Sequence, residues 1–236
     1  MYLCIAGCRH AAMPETELKE FIMKQFETYI FDLDGTLLYT LDDLTASTNH
    51  AMRAFGMPEH TTDEIRMMVG NGVRKLIERA VPCGTPTTLY EDVYKEFINH
   101  YLEHNLDTTR PYPGIMEMLK SLKEHGKKMA VVSNKYCKAT EHLCRTFFNG
   151  YIDVAIGENE NIRKKPAPDT VLEAMKRLGA DKGSTVYVGD SEVDIATAHN
   201  CGIPCISVLW GFRDKTFLTE NGGTMFVKSP EEIFSE

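Results

Sequence analysis

The sequence YIFDLDGT at residues 29–36 carries the strongest signal of the fold in this chain. Its first three residues are bulky and apolar, a pattern typical of a short buried strand. Two aspartates follow at once, and an Asp-Gly pair favours a turn where a strand ends. The stretch therefore predicts a buried strand that delivers two carboxylates, Asp32 and Asp34, to one edge of a sheet.

Short apolar runs alternate with longer amphipathic stretches from Met23 onward. Strands that alternate with helices require crossover connections, which place helices on both faces of a parallel sheet. We therefore expect an α/β fold with a doubly wound parallel sheet. The apolar runs are residues 29–31, 129–132, 154–156, 185–188 and 205–209, and the main amphipathic stretches between them are 115–125, 137–148, 168–178 and 193–201.

Residues 40–109 interrupt this alternation, because they carry only helical patterns. The simplest interpretation is an α-helical cap domain inserted between the first and second strands of the core. We therefore expect a core of residues 23–39 and 110–236 and a cap of residues 40–109. Residues 1–22 form an N-terminal extension that this fold does not require.

Composition restricts the class of partner. The formal net charge of −8 argues against nucleic acid, whose phosphates attract basic faces. No apolar run approaches the roughly 18 to 20 residues of a membrane span, so no membrane partner is expected. The seven cysteines are an odd number without a CxxC pair, which favours free thiols in the cytoplasm over a disulfide framework.

Polar residues recur where the other apolar runs end. In an open parallel sheet, ligands bind outside the carboxyl ends of the strands. Ser133 and Asn134 follow the second run, and Asp190 follows the run at 185–188, with Asp194 one helical turn later. Lys165 precedes the helix that leads into that run. We expect these side chains to meet Asp32 and Asp34 at one edge of the sheet.

Four aspartates at one edge would repel one another, which raises their pKa values or demands a cation. Hard oxygen ligands suit Mg²⁺, and Lys165 and Ser133 could neutralise a phosphoryl group. Each feature alone has an ordinary structural explanation: Asp-Gly forms turns, Ser133 could cap a strand, Lys165 could be a solvated loop residue, and Asp194 could belong to a helix N-terminus. Their joint appearance in order at strand ends favours a phosphate and metal site.

The segments that carry these residues read FDLDGT at 31–36, VVSN at 131–134, KKPAP at 164–168 and GDSEVD at 189–194. Together they resemble the motifs of the haloacid dehalogenase superfamily of phosphohydrolases, and the likeness runs from Met23 to the end of the chain. The helical insert is similar to the family's C1-type cap. Within the family the chain looks like the phosphoglycolate phosphatase group, through VGNG at 69–72, PYPG at 111–114 and WGFR at 210–213.

The resemblance implies a set of roles. Asp32 would be the nucleophile that attacks phosphorus, and Asp34 would protonate the leaving oxygen and then activate water. Ser133, Asn134 and Lys165 would hold the phosphoryl oxygens. Many relatives have an acidic residue at the position of Tyr39, so the hinge to the cap would differ here.

The same resemblance implies Mg²⁺ as the cofactor. Its ligands would be the carboxylate of Asp32, the backbone carbonyl of Asp34 and Asp190, with Asp194 acting directly or through water. The expected activity is hydrolysis of small phosphomonoesters through an aspartyl phosphate, similar to phosphoglycolate phosphatase, by a monomer or homodimer. A phosphomutase of the same fold, a pyrophosphatase or 5'-nucleotidase type of member, and a phosphate sensor without turnover remain open as alternatives.

Substrate choice is expected to lie in the cap, because the core motifs handle only phosphate and metal. Gly70, Asn71 and Gly72 interrupt two helical patterns, and Arg74 and Lys75 follow in the first turn of the next helix. Glycines let the backbone approach a ligand, and helix N-terminal amides favour an anion. We expect these residues to meet a carboxylate of the substrate. The alternative is an ordinary turn between helices with two solvated cations.

Overall fold

The computed structural model describes residues 26–234. Residues 1–22, predicted as an extension, lie outside the described residues, as do Cys4 and Cys8. The strands, numbered in chain order, are β1 Thr28–Phe31, β2 Leu38–Tyr39, β3 Arg110–Pro111, β4 Lys128–Tyr136, β5 Val154–Glu158, β6 Thr185–Gly189, β7 Cys205–Val208 and β8 Met225–Val227.

A six-stranded sheet with the order β5-β4-β1-β6-β7-β8 forms the centre of the core, and every pairing in it is parallel. β1 lies between β4 and β6, with Phe31 opposite Val131 on one side and Val188 on the other. Its residues are buried on both faces, which explains the uninterrupted apolar run in the sequence.

The helices are α1 Leu41–Ala54, α2 Thr62–Met68, α3 Val73–Ala80, α4 Thr87–His104, α5 Ile115–Glu124, α6 Cys137–Phe148, α7 Asp169–Leu178, α8 Glu192–Cys201 and α9 Lys215–Glu220. On one face of the sheet, Phe31 packs in a cluster with Leu119 of α5 and Leu143 of α6. On the other face, Ile30 packs with residues of α7 and α8. The expected doubly wound parallel sheet is therefore confirmed.

The helical insert lies between β2 and β3, which pair antiparallel with Tyr39 opposite Arg110. Helices α1 to α4 bury an apolar cluster of their own, which Phe212 joins from the loop after β7. Asp43 at the start of α1 is buried and accepts hydrogen bonds from the backbone N–H groups of Thr108 and Thr109, each at 3.0 Å. The insert is thus an α-helical cap tied at its entry to the strand by which the chain returns.

Several boundaries differ from the sequence-based expectation. β4 does not end at residue 132 but continues to Tyr136, because after an irregularity it pairs again with β5 through Tyr136 and Glu158. The short strands β2, β3 and β8 were not anticipated, since two or three residues carry too little periodicity to stand out. Within the described part of the chain the five cysteines are free, as expected, and no helix there is long and apolar enough to cross a membrane.

Candidate active site

The carboxyl ends of three neighbouring strands meet at one pocket. Asp32 directly follows β1, Ser133 to Lys135 lie near the end of β4, and Lys165 enters from the loop after β5. We call this space the Asp32 pocket; its volume is about 50 Å³. Its lining residues are Asp32, Asp34, Leu44, Val69, Gly70, Gly72, Val73, Leu76, Ser133, Asn134, Lys135 and Lys165.

Lys165 is one of the buried cations that line the pocket. Its Nζ lies 2.8 Å from Asp32 Oδ1 and 2.8 Å from Asp194 Oδ1, and it donates to the Tyr187 hydroxyl at 3.0 Å. Burial alone lowers the pKa of Lys165, but the charges of Asp194 and Asp32 more than offset this effect and raise the pKa. The side chain is therefore an ammonium at neutral pH, held beside the carboxylate of Asp32.

Asp194 uses both of its oxygens within the protein. Oδ1 accepts hydrogen bonds from Lys165 Nζ and Tyr187 Oη, and Oδ2 accepts from the backbone N–H groups of Asp190 and Ser191 and from Ser191 Oγ at 2.6 Å. Ser191 and Asp194 form the capping box of α8. The helix-terminus explanation of this residue is correct, and the same contacts hold Lys165 and the backbone of Asp190 in place.

Three buried carboxylates could hold a cation: oxygens of Asp32, Asp190 and Asp194 lie within 4.8 Å of one another. Burial, and then the charge of Asp194, raise the pKa of Asp32 to about 7 against the opposing effect of Lys165. Burial and the charges of Asp194 and Asp32 raise the pKa of Asp190 well above its ordinary value. The uncompensated negative charge and the hard oxygen donors fit a divalent cation such as Mg²⁺.

Asp190 is fixed by groups on either side of it. Thr36 Oγ1 donates to Oδ1 at 3.1 Å, and the backbone N–H of Phe212 donates to Oδ2 at 2.8 Å. Gly35 and Gly211 pack so closely against this carboxylate that a Cβ atom at either position would collide with it. Because Gly35 also has a φ of +88°, the glycine that follows Asp34 meets both a conformational and a steric requirement.

Asp34 faces a different lysine, Lys135, whose role was not evident from the sequence motifs. Lys135 Nζ donates to Asp34 Oδ1 at 2.9 Å and to Oδ2 at 3.2 Å, and to the hydroxyl of Tyr101 on α4 at 2.8 Å. Burial alone lowers the pKa of Lys135, but Asp34 and Tyr101 more than offset it and raise the pKa. Lys135 directly follows the VVSN segment at the carboxyl end of a predicted strand, and this position was the signal that could have found it.

Ser133 and Asn134 make different contacts in the site: the first with the backbone of Lys135, the second with the backbone of Lys165. Ser133 Oγ accepts a hydrogen bond from the backbone N–H of Lys135 at 3.1 Å and lines the pocket. The Asn134 amide is bound to the backbone of Lys165, accepting from its N–H at 2.8 Å and donating to its carbonyl at 3.0 Å. Asn134 therefore fixes the loop that carries Lys165.

The cap contributes two of its predicted residues to the pocket. Gly70 and Gly72 are among the lining residues, and Asn134 Nδ2 lies 3.5 Å from the Gly70 carbonyl. The backbone carbonyl of Asn71 lies 3.5 Å from Lys164 Nζ. The loop between α2 and α3 is thus seated against both the VVSN and the KKPAP segments.

The structure does not bring Arg74 or Lys75 into the Asp32 pocket. Arg74 forms an ion pair with Glu91 at 2.9 Å, and its guanidinium lies 4.2 Å from the ring centroid of Tyr94. Lys75 pairs with Glu78 at 2.6 Å, one turn along α3. These partners lie within the cap, and neither cation is among the residues that line the Asp32 pocket.

Arg74 lines a neighbouring cavity instead, of about 670 Å³, between α4 and the core. We call it the side cleft. It shares Val73, Asn134 and Lys135 with the Asp32 pocket, so the two spaces adjoin. Its lining residues are Val73, Arg74, Tyr94, Ile98, Tyr101, Leu102, Asn134, Lys135, Tyr136, Ala139, Glu158, Asn159, Glu160 and Asn161.

One protein family matches most of this chain, including the residues that line the Asp32 pocket. Residues 29–208 match the family described as haloacid dehalogenase-like hydrolase. The chain belongs to this family. The match includes the cap and all four polar segments, so the expected resemblance and the expected hydrolase class are confirmed.

Several individual proteins that the chain resembles are named as phosphatases. The chain is 33% identical over 184 residues to the phosphoglycolate phosphatase of Aquifex aeolicus, covering 78% of this chain and 84% of that protein. It is 35% identical over 192 residues to the phosphoglycolate phosphatase of Agrobacterium fabrum, covering 78% and 81%. It is also 30% identical over 213 residues to the N-acetylmuramic acid 6-phosphate phosphatase of Pseudomonas aeruginosa, covering 89% and 93%.

A solved structure shares the architecture. A crystal structure from Lactobacillus delbrueckii subsp. bulgaricus, provisionally assigned as a phosphoglycolate phosphatase, superposes with a TM-score of 0.85 at 36% identity. It covers 90% of this chain, and all of the crystallised chain is matched. The chain is therefore a haloacid dehalogenase-like hydrolase that resembles the phosphoglycolate phosphatases in sequence and in fold.

Proposed function

We propose that this hydrolase is a Mg²⁺-dependent phosphatase that hydrolyses small phosphomonoesters through an aspartyl phosphate formed on Asp32. The observation that supports it best is the seating of Asp32, Asp34, Ser133 and Lys165 around one pocket of about 50 Å³. Two carboxylates with separate cationic partners suit one nucleophile and one acid–base group. The free thiols of the described chain suit a reducing compartment, so we place the reaction in the cytoplasm.

In the first step an oxygen of Asp32 attacks phosphorus, and the bond from phosphorus to the ester oxygen breaks. Asp34, in its protonated form, gives its proton to that departing oxygen and becomes a carboxylate. In the second step Asp34 takes a proton from water, the water oxygen attacks phosphorus, and the bond to Asp32 breaks to release inorganic phosphate. Lys165 and Ser133 hold the phosphoryl oxygens during both steps, because an ammonium and a hydroxyl offset their charge.

Asp32, Asp190 and the backbone carbonyl of Asp34 would hold the Mg²⁺, and Asp194 would support it by fixing Lys165 and the backbone of Asp190. The bound ion supplies positive charge that offsets the repulsion between the Asp32 carboxylate and an anionic phosphate. Burial, and then the negative charge of Asp194, raise the pKa of Asp32 to about 7, and a cation beside this carboxylate would offset both effects.

The experiment is phosphate release by the purified protein across a panel of phosphomonoesters, with and without Mg²⁺. The panel includes phosphoglycolate, alkyl and aryl phosphates, sugar phosphates, nucleotides and pyrophosphate. We expect Mg²⁺-dependent release from small esters, phosphoglycolate among them. Release confined to pyrophosphate or nucleotides would favour those members of the family, and isomerisation of a sugar phosphate without release would identify a phosphomutase.

A larger acidic sugar phosphate is a second candidate substrate, and the side cleft is the observation that favours it. Its volume of about 670 Å³ exceeds the needs of a glycolate leaving group. A relative that matches 89% of this chain is named for N-acetylmuramic acid 6-phosphate. A kcat/KM for that ester well above the value for phosphoglycolate would identify the sugar phosphate as the better substrate.

A further inference from the structure

The Asp32 pocket holds two lysines among the described residues that line it, and they lie at different places. Lys165 is beside Asp32, where the phosphoryl group is transferred, with Asp194 and Tyr187 as further partners. Lys135 is beside Asp34, which in the proposed function protonates the departing oxygen. Lys135 therefore lies on the leaving-group side of the pocket.

Lys135 also faces the space into which a leaving group would extend. It lines both the Asp32 pocket and the side cleft. Its side chain is buried, with 5% of it exposed, so an anion in contact with it would be shielded from water. Charge-assisted hydrogen bonds to an ammonium in such a place are strong and directional.

The cap cations do not occupy this position. Arg74 pairs with Glu91 and Lys75 pairs with Glu78, and neither lines the Asp32 pocket. The cap reaches Lys135 by another route, since the hydroxyl of Tyr101 on α4 accepts from its Nζ at 2.8 Å. Within the Asp32 pocket the positive charge beside a leaving group therefore comes from Lys135 of the core, which Tyr101 of the cap positions, whereas Arg74 lines only the adjoining side cleft.

We propose that Lys135 is a specificity-determining residue that binds a carboxylate carried by the leaving group of the substrate. This inference rests on the proposed phosphatase function. A carboxylate next to the ester oxygen, as in phosphoglycolate, takes a hydrogen bond from Lys135 in exchange for one that Asp34 accepts in the free protein. Neutral leaving groups have no anion to offer, so Lys135 favours acidic esters over neutral esters of equal size.

The test compares phosphoglycolate with 2-hydroxyethyl phosphate, in which a neutral alcohol replaces the carboxylate. The ratio of their kcat/KM values is measured for the wild type, Lys135→Gln and Lys135→Arg. We expect Lys135→Gln to lower the ratio by about 10- to 100-fold, chiefly through KM for phosphoglycolate, as expected for the loss of a charge-assisted bond. Lys135→Arg, which keeps the cation, should retain most of the preference.

Two further variants distinguish an effect of Lys135 itself from an effect of the protein's net charge and from an effect of the cap cations. Arg53→Gln removes a cation from an exposed ion pair with Glu59 in the cap, and it should leave the ratio unchanged. Loss of the preference in Arg74→Gln, with an unchanged ratio in Lys135→Gln, would overturn the proposal. A wild type that favours the neutral ester would overturn it as well, while leaving the phosphatase function intact.

Lys135→Gln also removes a partner of Asp34, so turnover of both esters could fall below detection. In that case the affinity for phosphoglycolate is measured by calorimetry in Asp32→Asn and in Asp32→Asn/Lys135→Gln, after circular dichroism has shown that both are folded. A drop of about 10-fold or more in the double variant supports the proposal, and equal affinities refute it. Absence of phosphate release by the wild type from every ester would instead refute the proposed function.

Discussion

Asp32 and Asp34 are two residues apart, yet each faces its own lysine. Lys165 lies 2.8 Å from Asp32, and Lys135 lies 2.9 Å from Asp34. Separate cations allow the two carboxylates to differ in their environments, which is what a nucleophile and an acid–base group in one pocket require. The assignment of these roles remains a proposal, and single substitutions test it.

Asp32→Asn should abolish phosphate release, because an amide is a poor nucleophile of nearly the same size. Phosphate release by a clean preparation of the variant is the measurement. Activity above a trace level would exclude Asp32 as the nucleophile.

The same variant should be more stable than the wild type at pH 8 when Mg²⁺ is chelated. The folded-state pKa of Asp32, about 7, lies above the ordinary 3.8, so between those values the folded protein binds more protons than the unfolded chain. Stability from this group is therefore present at low pH and falls as pH rises toward 7. Asn has no such titration, and we expect a gain of about 1 to 3 kcal/mol at pH 8 that vanishes near pH 4. Urea melts in chelator at both pH values measure it.

Asp34→Asn should slow alkyl esters more than aryl esters. An alkoxide needs a proton as it departs, whereas a nitrophenolate leaves without one. We expect a loss of about 100-fold or more for phosphoglycolate and a smaller loss in the first step for p-nitrophenyl phosphate, measured as single-turnover rates. Equal losses for both leaving groups would contradict the acid role.

Among the structural elements, the loop after β7 links Asp190 to the cap. The backbone N–H of Phe212 donates to Asp190, and Phe212 packs in the cap's apolar cluster. The next residue, Arg213, donates to the carbonyls of Arg66 and Val69 at the end of α2, at 2.7 and 2.9 Å. This loop therefore couples the position of the cap to the geometry of the site.

Arg213→Met should weaken cap docking. The change leaves two carbonyls at the end of α2 without this partner, which costs about 1 to 3 kcal/mol of stability, and it should raise KM several-fold for acidic and neutral esters alike. Arg79→Met is the matched control, because Arg79 donates to the neighbouring Met68 carbonyl at an exposed place within the cap. Thermal melts and KM values for both variants measure the difference; equal effects would show that Arg213 does not act through docking.

At the scale of the whole molecule, two separately packed units share one site. We propose that residues 23–39 and 110–236 form the core and residues 40–109 the cap, joined by the pairing of β2 with β3. Asp43 at the start of α1 accepts hydrogen bonds from Thr108 and Thr109, which immediately precede β3. The oligomeric state of the whole protein, a monomer or a homodimer, remains a prediction.

Removal of Mg²⁺ should affect both activity and stability of the whole protein. Chelator should abolish phosphate release, and Ca²⁺ should not restore it, because Ca²⁺ prefers more ligands at longer distances. Binding of Mg²⁺ to the folded state should stabilise it by about 3 kcal/mol at 100 times its Kd. Thermal melts with Mg²⁺, Ca²⁺ and chelator test this, and Asp190→Asn should remove most of the Mg²⁺-dependent shift. Full activity in excess chelator would exclude the metal.

The doubly wound sheet and the helical insert could be predicted from the amino-acid sequence alone. So could the meeting of five polar residues at one edge of the sheet: Asp32, Asp34, Ser133, Lys165 and Asp190. These inferences depend on local patterns: hydrophobic periodicity identifies strands and helices, and parallel strands must bring their carboxyl ends to one edge. The motif resemblance then assigned roles that the pocket is consistent with.

The partner of each charged side chain, in contrast, follows only from the packed fold. Lys135 meets Asp34 across 101 positions of the chain, and Tyr101 reaches it from the cap. Arg74 forms an ion pair with Glu91, although its position in the sequence had suggested that it contacts the substrate. Such contacts join side chains on separate elements, so they depend on how those elements pack and on rotamers chosen there. Periodicity carries no information about either, which is why the position of the leaving-group cation was not anticipated.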